Sequence, residues 1–416
     1  MKLLWLCNMM PAKVKAAIGG AEKAGGLWVD RVLEGLRRQE TLTIRVICPG
    51  DGAEGILDEK CSYRTFRQGL PYDYSPQLEA AFQEELKTFA PDVVHIWGTE
   101  YAHTLAMVNA CEEENLLEHT VISIQGLCSV CAGHYEEGLP SRLCRESSLR
   151  DILRRDNIRQ QRKKFLLRGQ LEIKALEKAR HVMGRTDWDR FCVARINPQA
   201  QYHFCNETLR ADFYDGRWAF GNCQKYRIFA SSCAYPVKGF HYLLEAMAQL
   251  RKVYPDTTLA VPGKDPRTIP WYRRSSYHNH LIRQMKRLNL GDNVEFLGSL
   301  SAAEMKEAYL AANVFALPST IENSPNSLGE AMLLGVPCVA ADVGGVSDLM
   351  VHRQEGFVYQ STAPYMLSGY IQKMFALEEK AEGMTVAARM HAGKTHDPEK
   401  NLKTLLTIYQ DLAEQP

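Results

Sequence analysis

Short apolar runs alternate with helical stretches along almost the whole chain, and this alternation limits the fold more than any other feature of the sequence. In the first half the runs are Leu3–Cys7, Ile44–Cys48, Val93–Trp97 and Val121–Gln125. In the second half they are Tyr226–Ala230, Thr258–Val261, Val294–Leu297, Val314–Leu317 and Pro337–Ala340. Each is followed by a Gly, Pro or polar turn and then by a helical pattern. Strands this short and this apolar are expected where helices cover both faces of a sheet, so the chain reads as α/β with parallel sheets. Its 416 residues suit two such domains. Periodicity is lost between Asn206 and Asn222, which sets expected domains of 1–215 and 216–390. Leu402, Leu405, Leu406, Tyr409 and Leu412 stand at helical spacing, so 391–416 is expected to form a last helix packing back on the first domain. A cleft between two such domains is a common ligand site.

Charge narrows the partners. Fifty Lys and Arg face 49 Asp and Glu, a net charge of +1, which excludes a polybasic nucleic-acid binder and an acidic tail. A hydrophobic content of 45% excludes disorder as the main character. No window approaches the roughly 18 apolar residues of a membrane span. Met1–Cys7 looks like the start of a signal peptide, but Asn8 interrupts it and Pro11-Ala12-Lys13-Val14-Lys15 is a poor cleavage region. It reads as a buried first strand. Twelve cysteines without a secretory signal point to reduced core thiols and a cytoplasmic protein. Cys128, Cys131, His134 and Cys144 offer a loosely spaced zinc set, although reduced loop cysteines are the commoner outcome for such spacing. Residues 150–180 are unusually basic. They read as a solvated helical face, or as a surface that attracts an anionic acceptor or a membrane.

Three segments carry chemistry. In Leu317–Met332 a strand ends, a polar loop follows, and a helix is expected to begin near Pro325 with Ser324 as its cap. Its free N–H groups make an anion site. Glu322 stands just before that helix and Glu330 inside it. Ser327-x-x-Glu330 also fits a capping box, with the helix starting later, and Glu322 also fits a loop carboxylate in water. In Ala230–Phe240, Lys238 is expected in a strand-to-helix loop, where open α/β sheets bind ligands and a lysine neutralises phosphate. A surface lysine before a glycine turn is the plainer alternative. In Ile18-Gly19-Gly20-Ala21-Glu22, paired glycines let backbone approach a ligand at a helix start.

In this order and spacing the three segments resemble family 4 (group 1) glycosyltransferases. These are retaining sugar-nucleotide enzymes of the GT-B fold, with two facing Rossmann-like domains. Glu322 and Glu330, then Ala331–Ala340 and Gly344-Gly345, carry most of the resemblance. Lys238-Gly239 and Val294–Gly298 support it, and it runs from the first strand to about Ser361. Gly184–Asp189 resembles a branch found in bacterial surface-polysaccharide assembly.

The resemblance implies a nucleoside-diphosphate sugar donor and a glycan or glycolipid acceptor; because Lys238 and the helix start at Pro325 can hold the leaving group's charge, no metal or other cofactor is expected. It gives Glu322 the sugar hydroxyls, Glu330 the ribose and Lys238 the diphosphate, helped by Ser324 and the N–H groups of Asn326, Ser327 and Leu328. Gly19 and Gly20 approach the diphosphate, and Leu297 faces the base. Where many members have an arginine six residues before the lysine, this chain has Ser232, and Arg185 is the candidate replacement. Where many have a histidine near the reacting sugar, this chain has Gln125. His95 also ends a strand, though a hydrogen-bonded core histidine is the commoner occurrence. A sugar-nucleotide epimerase and a non-catalytic sugar-nucleotide binder are the competing functions.

Overall fold

The structure, a computed structural model, describes residues 1–20 and 28–415. The strands are β1 (Lys2–Cys7), β2 (Thr43–Pro49), β3 (Glu54–Asp58), β4 (Cys61–Phe66), β5 (Val93–Trp97), β6 (Thr120–Ser123), β7 (His181–Gly184), β8 (Gln201–Phe204), β9 (Arg227–Phe229), β10 (Thr258–Val261), β11 (Val294–Phe296), β12 (Val314–Leu317), β13 (Cys338–Asp342) and β14 (Phe357–Gln360). They form two sheets, as the apolar runs require, and each sheet lies in its own compact unit.

In the first unit the order is β3-β4-β2-β1-β5-β6-β7-β8, parallel throughout except for the β3–β4 edge hairpin. Leu3, Leu4, Trp5 and Leu6 of β1 are fully buried, as expected of a central strand covered on both faces. From β1 the chain builds outward to β2 on one side and later to β5 on the other, so the order reverses between β1 and β5. In the second unit the order is β11-β10-β9-β12-β13-β14, all parallel, and the reversal lies between β9 and β12. Ligands of open α/β sheets bind beyond the carboxyl ends of the strands at such reversals. Both sheets are Rossmann-like, in line with the expected fold.

Five strands lie outside the apolar runs. Of these, β3, β4 and β8 carry charged or polar residues on an exposed side, β7 has only Val182 and Met183 between His181 and Gly184, and β14 ends in Gln360. The units also divide the chain differently from the expected domains. Unit 1 is 1–132, 164–210 and 396–416, and unit 2 is 133–163 and 211–395. Segment 133–163 joins unit 2 because its polar groups are satisfied there. The buried Asp151 accepts from the Ser276 N–H at 2.7 Å, Arg283 pairs with both oxygens of Glu146, and the Thr320 hydroxyl donates to the His134 carbonyl. The basic 150–180 stretch therefore does not form one helical face. It is split between the helix Leu149–Arg154 and the helix Ile158–Lys178, and the two units meet in sequence at 163/164.

The last helix, Pro398–Ala413, is capped by Asp397. It buries Leu405, Ile408, Tyr409 and Leu412 in the unit 1 core beside Leu3, Trp5 and Val93. The Trp5 indole N–H donates to the Tyr409 hydroxyl at 3.0 Å.

Candidate functional site

Lys238 and Glu322 come from the two strands that flank the reversal in unit 2. Lys238 ends a short turn, Pro236–Lys238, after β9, and Glu322 lies in the loop after β12. The Lys238 ammonium lies 2.6 Å from Glu322 Oε1, and the Ser319 hydroxyl donates to the same oxygen at 2.7 Å. The side chain of Glu322 is largely covered, and that of Lys238 is one-third exposed.

Backbone holds the loops together. The Thr320 N–H donates to the Val237 carbonyl at 2.8 Å, and the Gly345 N–H to the carbonyls of Glu322 and Asn323. Two glycines permit this closeness. Gly239 has φ +64°, and a Cβ there would lie 1.7 Å from the Pro318 oxygen. Gly344 has φ +54°, and a Cβ there would lie 1.6 Å from the Glu322 oxygen. Any side chain at either position would push the Glu322 loop away.

The helix beyond this loop is Asn326–Leu334. Pro325 is its N-cap rather than its first residue, and no side chain caps it, so Ser324 does not act as the expected cap. The Leu328 and Gly329 N–H groups turn back to the Pro325 carbonyl, which takes Leu328 out of the expected anion-binding set. The N–H groups of Asn326 and Ser327 keep no acceptor among the described residues. The helix begins before Ser327, so the Ser327-x-x-Glu330 capping box is not made. Instead the Ser327 carbonyl accepts from the Tyr309 hydroxyl. Glu330 is buried one turn below Asn326 on the same helix face, and Asn326 Oδ1 is itself buried without a hydrogen-bond partner. Leu297, at the end of β11, donates its N–H to the Val261 carbonyl, and beyond it Gly298 pairs with Gly263.

Unit 1 places its expected residues less simply. His95 is fully buried in β5. Its Nε2 lies 2.6 Å from the Ser123 hydroxyl, its Nδ1 meets the Tyr409 hydroxyl, and its ring stacks on Trp97. Burial pushes its pKa well down, so it is a neutral core histidine and not a ligand group. Arg185 is also buried. One guanidinium nitrogen is 3.2 Å from both Glu207 Oε2 and Gln125 Oε1, so its charge is already matched within unit 1. That commitment argues against Arg185 as the missing phosphate cation. Gly19 and Gly20 follow the helix Ala12–Ala17 rather than opening one, and Gly19 has φ +79°. The expected helix start at Ala21 and Glu22 lies outside the described residues.

Gln125, two residues past β6, lines a cavity of about 220 Å³ together with Asn8, Met9, Trp97, Glu100, Tyr101 and Arg168. This cavity sits at the other reversal, where Asn8 follows β1 and Glu100 follows β5. Glu100 Oε2 accepts from the Asn8 amide at 2.6 Å, and the Glu100 carbonyl accepts from Arg168 Nε. Burial, with Glu172 nearby, pushes the Glu100 carboxyl up to about 7. Glu172 itself anchors the start of the helix Cys128–His134 through the Cys128 and Ser129 N–H groups. The sequence reading missed Glu100, Asn8 and Ser319. A polar residue just past each inner parallel strand was the signal that could have found the first two.

Among the described residues no group of three or more His, Cys, Asp or Glu side chains is arranged to hold a metal, and Cys128 and Cys144 are buried thiols whose pKa values burial raises. Asp187-Trp188-Asp189 does spell the Asp-x-Asp pattern of metal-dependent sugar transfer. Its second acid is buried, however, accepting from the Arg185 N–H and the Tyr202 hydroxyl.

Residues 220–391 match the family model for glycosyl transferases group 1. The match begins just before β9 and covers most of the second segment of unit 2, 211–395. D-inositol 3-phosphate glycosyltransferase of Segniliparus rotundus is 30% identical over 159 residues, 38% of this chain and 34% of that protein. The aligned part spans about a third to two-fifths of the curated relatives' length. Among solved structures, sucrose-phosphate synthase from Thermosynechococcus elongatus superposes with a TM-score of 0.69 at 17% identity, covering 99% of both chains. Anabaena Alr3699/HepE in complex with UDP-glucose gives 0.68 at 17% identity, covering 99% of this chain and all of that one.

Proposed function

We propose that the chain is a retaining glycosyltransferase of family 4 that moves a hexosyl group from a nucleoside-diphosphate sugar to a hydroxyl of a glycan or lipid-linked glycan. The observation that carries this is the Lys238–Glu322 pair, held by Gly239 and Gly344 beside a helix start with free N–H groups. Cleaving the bond from C1 to the diphosphate leaves negative charge on the leaving oxygen. The Lys238 ammonium and the Asn326 and Ser327 N–H groups are placed to stabilise it, which gives the protein a metal-free route. A bound diphosphate competes with Glu322 for the ammonium and turns that carboxylate toward the sugar hydroxyls. Buried Glu330 takes the ribose hydroxyls, and the backbone at Leu297 faces the base. With no carboxylate assigned beneath the sugar, the acceptor attacks on the leaving-group face, and the departing phosphate oxygen takes its proton. In unit 1, Glu100, Asn8 and Gln125 offer hydrogen-bonding groups for a hydroxyl-rich acceptor.

A glycolipid acceptor accords with the name of one curated relative, a phosphatidylinositol monomannoside mannosyltransferase of Mycolicibacterium smegmatis, and a surface-polysaccharide acceptor with the Gly184–Asp189 stretch. Cysteines buried as Cys48, Cys111 and Cys338 are suit a reducing cytoplasm, and no helix among the described residues is long and apolar enough to cross a membrane.

The test is incubation with a panel of α-linked uridine, guanosine and adenosine diphosphate sugars, with and without acceptor, following free nucleotide and product anomer. Acceptor-dependent nucleotide release with an α-linked product is expected. A β-linked product sinks retention. Conversion of the donor without acceptor makes the chain an epimerase, and binding without turnover makes it a sugar-nucleotide binder.

A further inference from the structure

Segment 142–159 and the turn Trp271–Arg273 build one patch on unit 2, with the helix Leu149–Arg154 packed against that turn. The helix is fixed from its inner side. Ser148 caps it, and the buried Asp151 accepts from the Ser276 N–H and from Arg150. With Asp151 turned inward, Ile152 and Leu153 face solvent, 62% and 76% exposed. Trp271 and Tyr272 beside them are 70% and 51% exposed. Single exposed apolar residues are ordinary, but four on adjoining elements form a patch that calls for a partner.

The charge around this patch has one sign. Its acids are already matched, Glu146 by Arg283 and Asp151 and Asp156 by Arg150. Arg142, Arg145, Arg154, Arg155, Arg159 and Arg273 are all exposed and form no ion pair with any described residue. The basicity is local, since the whole chain carries only +1.

We infer that this face docks on an anionic lipid surface. Ile152 and Leu153 enter the acyl boundary, Trp271 and Tyr272 lie at headgroup depth, and the arginines meet the lipid phosphates. Projecting aliphatic and aromatic side chains ringed by unmatched arginines suit a fluid anionic interface better than a shaped protein groove. This assignment is independent of the chemistry proposed for the Lys238 loop.

The experiment is co-sedimentation of the full chain with vesicles of phosphatidylcholine alone or mixed with phosphatidylglycerol, at low and high salt. Binding is expected only to the mixed vesicles, weakening as salt rises. Ile152→Ser with Leu153→Ser should weaken it by about tenfold, and Arg154→Glu with Arg155→Glu by at least as much. The bound protein's tryptophan emission should shift to the blue, and Trp271→Phe should remove most of that shift. No sedimentation with the mixed vesicles overturns the inference. So does equal binding by all the variants, or unaltered binding in the Ile152/Leu153 pair, which would leave only a charge effect.

Discussion

The two units solve the same topological problem with different materials. Each sheet reverses its strand order at one point, and each carries polar residues beyond the strands that flank it. In unit 2 those loops are stitched by backbone. Two glycines with positive φ let carbonyls sit where side chains would otherwise be, and Lys238 reaches Glu322 across the gap. In unit 1 the equivalent place relies more on side chains, with Glu100 held by Asn8 and its backbone by Arg168 around a cavity of about 220 Å³, although Gly98, at φ +98°, also leaves the room in which Asn8 and Glu100 meet. Backbone stitching fixes one geometry and tolerates little change. A side-chain site can be rebuilt residue by residue to suit a different ligand. The family model for glycosyl transferases group 1 matches within unit 2, over residues 220–391.

Three measurements press on this contrast. The largest effect is expected from Lys238→Ala, which should lower kcat by roughly 10²–10³-fold, as removal of one charge-stabilising group does. The drop should persist at saturating donor, and a change confined to KM would make Lys238 a binding residue only. Next, Gly344→Ala should lower kcat/KM by about 10²-fold by displacing the Glu322 loop, whereas Gln125→Asn in the side-chain-built site should cost much less. Comparable losses in the two variants would erase the distinction between the sites.

The smallest effect concerns stability. Burial raises the Glu100 carboxyl from its ordinary 4.5 to about 7, so the folded chain holds that proton more tightly than the unfolded one. The resulting stabilisation is full below about pH 4.5 and is lost as pH rises through about 7. Between about pH 5 and pH 8 the native chain should therefore lose on the order of 2 kcal/mol relative to Glu100→Gln, read from urea melts. His103, held down to about 3 by burial, acts in the opposite sense at lower pH and is common to both proteins. Parallel stability curves for the two would show that Glu100 titrates normally.

The same contrast explains what the sequence disclosed. Buried parallel strands announce themselves as apolar runs, so β1, β2, β5, β6 and β9–β13 were legible, while β3, β4 and β8, with one wet face, were not. The Lys238-Gly239 and Glu322 segments were legible because a backbone-built site leaves glycines at fixed places. Glu100 and Asn8 left a fainter trace, a polar residue just past each inner strand and Gly98 beside Glu100, which does not by itself record that the two converge. His95 misled for a related reason. A strand-end histidine looks the same in sequence whether it faces a ligand or, as here, the hydroxyls of Ser123 and Tyr409. The assignment of 133–163 failed because contacts such as Asp151 with Ser276, 125 residues apart, leave no local trace.

The hydrogen bond from Trp5 to Tyr409 joins residues 404 positions apart. During synthesis the ribosome delivers the first strand of unit 1 early, yet the helix that seals its core emerges only after all of unit 2 has been made. Unit 2 can therefore finish folding while its neighbour is still open, with Leu3 and Trp5 waiting for cover. A cut made near residue 215 would strand that seal on the other fragment, so the first fragment should not be expected to close its core alone.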